Sequence, residues 1–138
     1  MSEVAKFYQI DHGKGVIPSQ EKAGDAGYDL RSVEDCVVRY GEVTLVHTGV
    51  SVKLGEGKIG LVCPRSGLAA KHGITVVNAP GIIDNGYDGE IMVVLSKLTP
   101  GEYHVRTLDK IAQLVVVEAE VATGGGSRGA NGFGSTGR

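Results

Sequence analysis

Polar residues suited to phosphate binding stand beside glycines at two places in the chain. Residues 65–67, Arg-Ser-Gly, precede a short stretch of good helix formers, and a helix N-terminus offers N–H donors and partial positive charge to an anion. Further on, Arg128 supplies a bidentate guanidinium, Ser135 and Thr136 supply hydroxyls, and neighbouring glycines let backbone N–H groups turn inward. Taken alone, a capped surface turn and a glycine-rich disordered tail are the ordinary interpretations.

A carboxylate and an aromatic ring flank a tight turn in the middle of the chain. Asn85-Gly86 is a strong signal for a two-residue type I′ hairpin. In such a hairpin Asp84 and Tyr87 face each other across the strand pair, as in the wall of a pocket. An aspartate that merely favours a turn is an equally good interpretation.

Three further residues would suit a nucleotide site. Asp29 lies between two apolar residues, so on a strand it points away from them. Gln113 lies in an apolar segment, where its amide needs hydrogen-bond partners. Phe133, between two glycines, is able to stack on a flat ring. An anion site, two isolated carboxylates and aromatic surfaces together are what nucleotide chemistry requires.

The elements that must position these residues are predicted to be strands. Segments rich in Val and Ile are separated by short turn-forming segments that contain Gly, Pro, Asn or Asp. Residues 66–73 alone indicate a helix, with Ser66 as its N-cap and Gly73 as its stop. The predicted fold is all-β, a jelly roll or β-barrel with one short helix. The predicted strands are 36–40, 43–54, 58–63, 74–78, 90–98 and 111–121.

Composition excludes several classes of protein. The 138 residues suit one domain, and 41% hydrophobic and 22% charged residues are typical of a globular chain. A net charge of −2 gives no general attraction to nucleic acid or membranes, and no apolar run is long enough to span a bilayer. Cys36 and Cys63 lack metal-site spacing, so we expect two reduced thiols and a cytoplasmic protein, in a host cytoplasm if the source is viral.

Five segments, in this order, resemble the motifs of the trimeric dUTPase (deoxyuridine triphosphate nucleotidohydrolase) family. The resemblance implies a jelly-roll subunit that forms a homotrimer with shared active sites. It also implies a β-barrel domain over residues 1–123, followed by a flexible glycine-rich arm, 124–138, that closes over the active site. The segments are AGYDLRS (26–32), PRSGLAAKHGI (64–74), NAPGIIDNGYDG (78–89), DKIAQLV (109–115) and RGANGFGSTG (128–137).

The resemblance implies hydrolysis of dUTP to dUMP and pyrophosphate with Mg²⁺. Such a reaction limits uracil in DNA and supplies dUMP for dTMP synthesis. Asp84 matches the aspartate that activates a water for attack on the α-phosphorus, and Asp29 matches the residue that contacts the metal through water. Tyr87 is implied to lie under the deoxyribose, where a ribose 2′-hydroxyl would clash. The implied phosphate contacts are Arg65, Ser66, Gly67, Gln113, Arg128, Ser135 and Thr136, and the implied uracil or deoxyribose contacts are Asn78, Ile83, Tyr87, Phe133 and Gly134.

Two departures and two alternatives accompany this interpretation. Leu108 replaces a glycine common in the family, which predicts a changed turn, and Asp88 adds a carboxylate near the site. A dCTP deaminase shares the fold, and release of ammonia from dCTP would identify it. A dUTPase with an added regulatory protein-binding role would keep its partner when Asp84 is removed. No membrane or nucleic-acid partner is expected.

Overall fold

The computed structural model describes residues 4–10 and 14–120. The predicted arm, with Arg128, Phe133, Gly134, Ser135 and Thr136, lies outside the described residues, as does the boundary predicted at residue 123.

The described residues form strands joined by short turns, with one helix. This confirms the predicted all-β class. The elements are β1 (Ala5–Gln9), β2 (Gly27–Arg31), β3 (Cys36–Arg39), β4 (Thr44–His47), β5 (Val50–Leu54), β6 (Lys58–Cys63), α1 (Ser66–His72), β7 (Ile74–Val76), β8 (Gly81–Ile83), β9 (Met92–Lys97), β10 (Glu102–Val105) and β11 (Lys110–Glu118).

The strands pair antiparallel, and neighbours within a sheet are mostly strands that are not consecutive in the chain. The largest has the order β2-β11-β6-β8, and a second has the order β4-β9-β7. Two-stranded sheets, β1-β5 and β10-β3, complete the described part. Because β11 lies between β2 and β6, residues distant in sequence become neighbours on the largest sheet.

The two main sheets contribute their inner faces to one apolar core. Leu30 and Leu114 of the largest sheet are fully buried, as are Val46 and Val93 of the second. Each such side chain contributes about 1.5–3 kcal/mol of hydrophobic stabilisation. The inner face is thereby fixed, and the alternate residues of each strand lie on the outer face.

The predicted strand 43–54 is two strands, β4 and β5, separated at Gly49. Gly49 has φ 69°, and a Cβ there would lie 2.8 Å from the backbone of Gly15. A side chain at this point would meet the crossing backbone, so glycine is required where the chain leaves one sheet for another.

The helix α1 ends as predicted but begins differently. Gly73 adopts the left-handed conformation with φ 65°, which confirms the predicted stop. The N-cap is Arg65, in an extended conformation without a side-chain capping bond, so the prediction of Ser66 as N-cap is wrong. At the other end the buried Lys97 ammonium donates to the carbonyl of His72 at 2.6 Å and holds the helix C-terminus.

No helix in the described part of the chain is long and apolar enough to cross a membrane.

Candidate active site

Asp29 and Gln113 lie side by side on the outer face of the largest sheet, and we call this pair the Gln113 row. In the strand register Gln113 of β11 is opposite Asp29 of β2 on one side and Cys63 of β6 on the other. Partners opposite each other across antiparallel strands point to the same face. The inner-face neighbours Leu30 and Leu114 are fully buried, which confirms that Asp29 points away from the core.

The Gln113 amide lies against the segment that leads into α1. Its Nε2 donates to the carbonyl of Pro64 at 3.0 Å. Gly27 of β2 provides the space, because a Cβ there would overlap Gln113 Oε1. The sequence motif alone did not single out this function of Gly27.

Residues 65–67 border the same row and are open to a ligand. Ser66 and Gly67 are exposed, and apart from the neighbouring residues of α1 no described part of the chain lies within 4 Å of the position that a Cβ on Gly67 would take. Arg65 is half-buried, and its Nη1 contacts the carbonyl of Lys110 at 3.4 Å. The structure therefore brings three of the predicted motifs, the first, second and fourth, to one place.

Lys110 balances the charge of Asp29. Its ammonium lies 3.3 Å from Asp29 Oδ2 and 3.6 Å from Glu21 Oε2. Motif spacing gave no sign of this pair, because it depends on the register between β2 and β11. Among residues 4–10 and 14–120 no group of three His, Cys, Asp or Glu side chains could hold a metal ion.

A basic cavity of about 320 Å³ adjoins this row. It is lined in part by Arg31, Arg65 and Lys110, together with Asp109 and Tyr103. Arg31 and Arg65 both donate to backbone carbonyls, of Leu108 and Lys110 respectively. These guanidinium groups supply positive charge beside the row, and among the described residues neither forms an ion pair with a carboxylate within 4.0 Å.

The turn that carries Asp84 does not form the predicted hairpin. β8, before the turn, pairs with β6, whereas β9, after it, pairs with β4 and β7. The N–H of Tyr87 donates to the carbonyl of Asp84 at 3.1 Å, and Gly86 has φ 96°. Asn85 does not adopt the positive φ that a type I′ turn requires, so that prediction is wrong. The turn connects two sheets, and Asp84 and Tyr87 are not cross-strand partners.

Asn85 fixes this turn to the neighbouring backbone. Its Nδ2 donates to the carbonyls of Gly55 and Lys58, each at 2.9 Å. Both bonds are partly buried, so they anchor the residue next to Asp84 on the β5–β6 turn. Sequence reasoning treated Asn85 as a turn former only.

Tyr87 is held by the residues that follow it. Its hydroxyl donates to the carbonyl of Glu90 at 2.9 Å, and the Glu90 carboxylate contacts His47 Nδ1 and accepts from the N–H of Gly49, both at 2.9 Å. Burial, together with the Glu90 and Asp88 carboxylates, raises the pKa of Tyr87. The phenol therefore stays protonated and keeps its hydrogen bond at neutral pH.

Asn78 lies in the turn before β8, and Ile83 is the last residue of β8. The Asn78 amide reaches across Gly81, since a Cβ on Gly81 would lie 3.1 Å from Asn78 Nδ2. Ile83 is buried in the core, so only its backbone is able to contact a base.

Both cysteines are free thiols. Burial raises the pKa of Cys63 and, with the Glu34 and Asp35 carboxylates, the pKa of Cys36. Neither thiol is activated as a nucleophile or metal ligand.

Within one chain Asp84 is separated from the Gln113 row. Ile83 pairs with Gly60, so Asp84 lies near the start of β6, whereas Gln113 pairs with Cys63 at its end. The offset is about four residues, or ~13 Å along the strand, with a further ~10 Å across two strand spacings. One chain therefore does not bring Asp84 to the residues predicted to hold phosphate.

Comparisons with known proteins identify the family of this chain. The family model dUTPase matches residues 13–137. A deoxyuridine 5'-triphosphate nucleotidohydrolase of Clostridium novyi (strain NT) is 47% identical over 131 residues, covering 90% of this chain and 92% of the relative.

Two solved structures share the fold. The dUTPase of Staphylococcus bacteriophage 80alpha with dUPNHPP has a TM-score of 0.79 at 25% identity and covers 99% of this chain and 100% of its own. A mutant dUTPase from phage phi11 of S. aureus, described with a structural Mg(II) ion, has a TM-score of 0.79 at 24% identity and covers 91% of this chain and 97% of its own. These matches confirm the predicted jelly-roll class. From its five motifs, its fold and its relatives, the chain belongs to the dUTPase family.

Proposed function

We propose that this chain hydrolyses dUTP to dUMP and pyrophosphate. The observation that carries the proposal is the row of Asp29 and Gln113 beside residues 65–67, which joins three motifs of a family matched along almost the whole sequence. A polar, partly basic surface of this kind fits a triphosphate. The related protein of Clostridium novyi bears the name of this activity.

Asp84 is the proposed catalytic base. Its carboxylate orients a water against the α-phosphorus and takes its proton as the new P–O bond forms and pyrophosphate leaves. Phosphoryl transfer depends mainly on positioning and neutralisation of charge, so the phosphate contacts matter as much as the base. We assign these contacts to the Arg65 side chain, the Ser66 hydroxyl, the Gly67 amide and the Gln113 amide.

The uracil and the sugar are assigned to the segment around β8. Asn78 and the backbone at Ile83 are the proposed hydrogen-bonding partners of the uracil edge. A cytosine edge would leave these groups mismatched, at about 1–3 kcal/mol for each unsatisfied group. The Tyr87 ring is the proposed surface under the deoxyribose, and its bond to Glu90 fixes the ring against Gly89.

The separation of Asp84 from the Gln113 row supports a homotrimer with shared active sites. The catalytic base must lie within a few ångströms of the phosphates it acts on. In one chain, however, Asp84 and the proposed phosphate contact Gln113 lie beside opposite ends of β6. A second copy that presents its own Asp84 to this row would complete the site.

An apolar area beside the row is suited to that second copy. The outer face carries three apolar residues that are register partners across β8, β6 and β11, two residues along the strand from Gln113. They are Ile82, Leu61 and Val115. Ile82 is 55% exposed in the single chain. Contiguous apolar surface of this kind marks a protein interface.

Mg²⁺ is the proposed cofactor, and the structural Mg(II) ion described for the phage phi11 enzyme supports a metal in this family. Asp29 fits it, because a single half-buried carboxylate paired with Lys110 suits an ion that keeps its waters. When bound, Mg²⁺ neutralises triphosphate charge and orients the phosphate chain. The chain's own share is to hold those waters through Asp29 and the phosphates through residues 65–67.

The arm at residues 124–138 is the proposed cover of the site. Arg128, Ser135 and Thr136 would bind the terminal phosphate, and Phe133 and Gly134 would close over the uracil. Charge-assisted bonds to a triphosphate are strong enough to offset the entropy of ordering glycine-rich residues. The free thiols of Cys36 and Cys63 support a cytoplasmic location.

The test is pyrophosphate release from each common dNTP and from UTP, with and without Mg²⁺. We expect release from dUTP with Mg²⁺ and little from the others. Ammonia release from dCTP would replace the proposal with a deaminase of the same fold.

A further inference from the structure

Leu108 has a backbone conformation that is unusual for its side chain. Its φ is 74°, the one positive φ of a non-glycine residue within 4–10 and 14–120. A branched L-residue is strained in this region, which glycine occupies freely. The Leu108 side chain is 45% exposed, so its burial does not compensate for the strain.

The strained turn is fastened to the end of β2. The N–H of Leu108 donates to the carbonyl of Ser32 at 2.7 Å, and the N–H of Ser32 donates to the carbonyl of Asp109 at 2.9 Å. The Arg31 guanidinium adds a side-chain bond, from Nη1 to the carbonyl of Leu108 at 2.9 Å. These three bonds over-determine the turn, as a strained backbone requires.

The turn leads directly into the strand that carries Gln113. Lys110, two residues on, is the register partner of Arg31. The register then shifts between Lys110 and Ala112, and Gln113 comes opposite Asp29. A β-bulge of this kind re-aims the side chains that follow it. The orientation of Lys110 and Gln113 therefore depends on how β11 leaves the turn.

We propose that Arg31 is a positioning residue for the phosphate site. By holding the carbonyl of Leu108 it keeps the strained turn, and with it the entry of β11, so that Lys110 and Gln113 face Asp29. The proposal rests on the function proposed above for Gln113.

A direct contact between Arg31 and phosphate is the competing explanation, because Arg31 also lines the basic cavity with Arg65 and Lys110. The two explanations differ in their dependence on Leu108. If Arg31 acts through the strained turn, a glycine at 108 removes the need for it. If Arg31 binds phosphate, a glycine at 108 changes nothing.

The experiment compares the wild type with Arg31→Met, Leu108→Gly and the double variant in steady-state hydrolysis of dUTP. We expect Arg31→Met to lower kcat/KM about 10-fold, as a misplaced phosphate contact does, and the double variant to recover to within about 2-fold of Leu108→Gly. Arg39→Met is the matched control, since Arg39 is an exposed arginine of β3 paired with Glu102. It should leave kcat/KM unchanged.

A double variant as slow as Arg31→Met would overturn the proposal in favour of direct phosphate binding. Thermal unfolding of the same four proteins tests, without turnover, whether the bond from Arg31 to the carbonyl of Leu108 holds the strained turn. We call this bond the clamp. Arg31→Met should lower Tm in the wild-type background and lower it less when Leu108 is glycine. Equal losses of Tm in both backgrounds would also overturn the proposal. If the wild type failed to hydrolyse dUTP while the Tm losses differed, the proposed function would fail and the clamp would stand.

Discussion

At the scale of single residues, the basic side chains of the candidate site have two kinds of partner, carboxylates and backbone carbonyls. Lys110 is balanced by the Asp29 and Glu21 carboxylates, whereas Arg31 and Arg65 donate to neutral carbonyls. Under the proposed function, Arg65 is the arginine that contacts phosphate, Arg31 holds the turn at Leu108, and Lys110 orients Asp29.

Asp84 is the residue whose loss should affect chemistry most. We expect Asp84→Asn to lower kcat by about two to four orders of magnitude, the effect of removing a general base. Binding should persist, because the amide keeps the shape of the carboxyl group. Steady-state turnover and equilibrium binding of a non-hydrolysable dUTP analogue measure the two effects separately. Near-normal turnover would remove Asp84 from the mechanism.

Gly27 is predicted to matter through Gln113. The methyl group of Gly27→Ala would overlap Gln113 Oε1, so the amide must leave its bond to Pro64. A hydrogen bond to a charged group is worth about 1.5–3 kcal/mol, so we expect kcat/KM to fall roughly 10-fold or more. Gln113→Ala sets the comparison, because displacing the amide should resemble deleting it. Full activity of Gly27→Ala would contradict the assignment of Gln113 to phosphate.

At the scale of elements, the sequence predicted strands better than it predicted their partners. Valine-rich segments identified β6 and β11, and the Gly73 stop of α1 was correct, because these signals are local. The Asp84 hairpin was wrong because Asn85-Gly86 indicates a tight turn, not which strands the turn joins. The bulge before Gln113 and the pair of Lys110 with Asp29 are set by packing between distant segments, which periodicity does not contain.

The anchored turn after β8 gives a prediction at this scale. Asn85→Asp keeps the size of the side chain but removes the donor to Gly55 and Lys58 and places a carboxylate against two carbonyls. We expect a loss of about 1–3 kcal/mol in the free energy of unfolding and a lower kcat, because the turn also carries Asp84.

Chemical denaturation and turnover measure both effects of Asn85→Asp. Gln20→Glu is the control, since it makes the same change of group at an exposed amide that donates to the backbone carbonyl of Asp25. If Asn85→Asp matched this control in stability and turnover, the anchor would have no effect on Asp84.

At the scale of the whole molecule, the distance between Asp84 and Gln113 predicts complementation between chains. Asp84→Asn and Gln113→Ala should each be slow alone. Mixed subunits, refolded together, should regain activity in about a quarter of the sites by random assortment, because an intact Asp84 then meets an intact Gln113 from another chain. Each variant refolded alone is the control. A mixture no faster than the mean of its parts would place the whole site in one chain.

Removal of the arm tests its separate function. A chain that stops after Thr123 should keep the thermal stability and subunit number of the full chain but hydrolyse dUTP poorly. Differential scanning fluorimetry, light scattering and pyrophosphate release measure these properties. Loss of folding in the shortened chain would make residues 124–138 structural.

Asp84 and Gln113 lie beside opposite ends of β6, and under the proposed shared site this separation makes activity depend on protein concentration. If a second copy completes the site, as proposed, specific activity should fall on dilution below the concentration at which the subunits dissociate. Excess dUTP, which would contact both chains at such a site, would then oppose that fall by mass action. The substrate would in this way help to assemble the enzyme that destroys it.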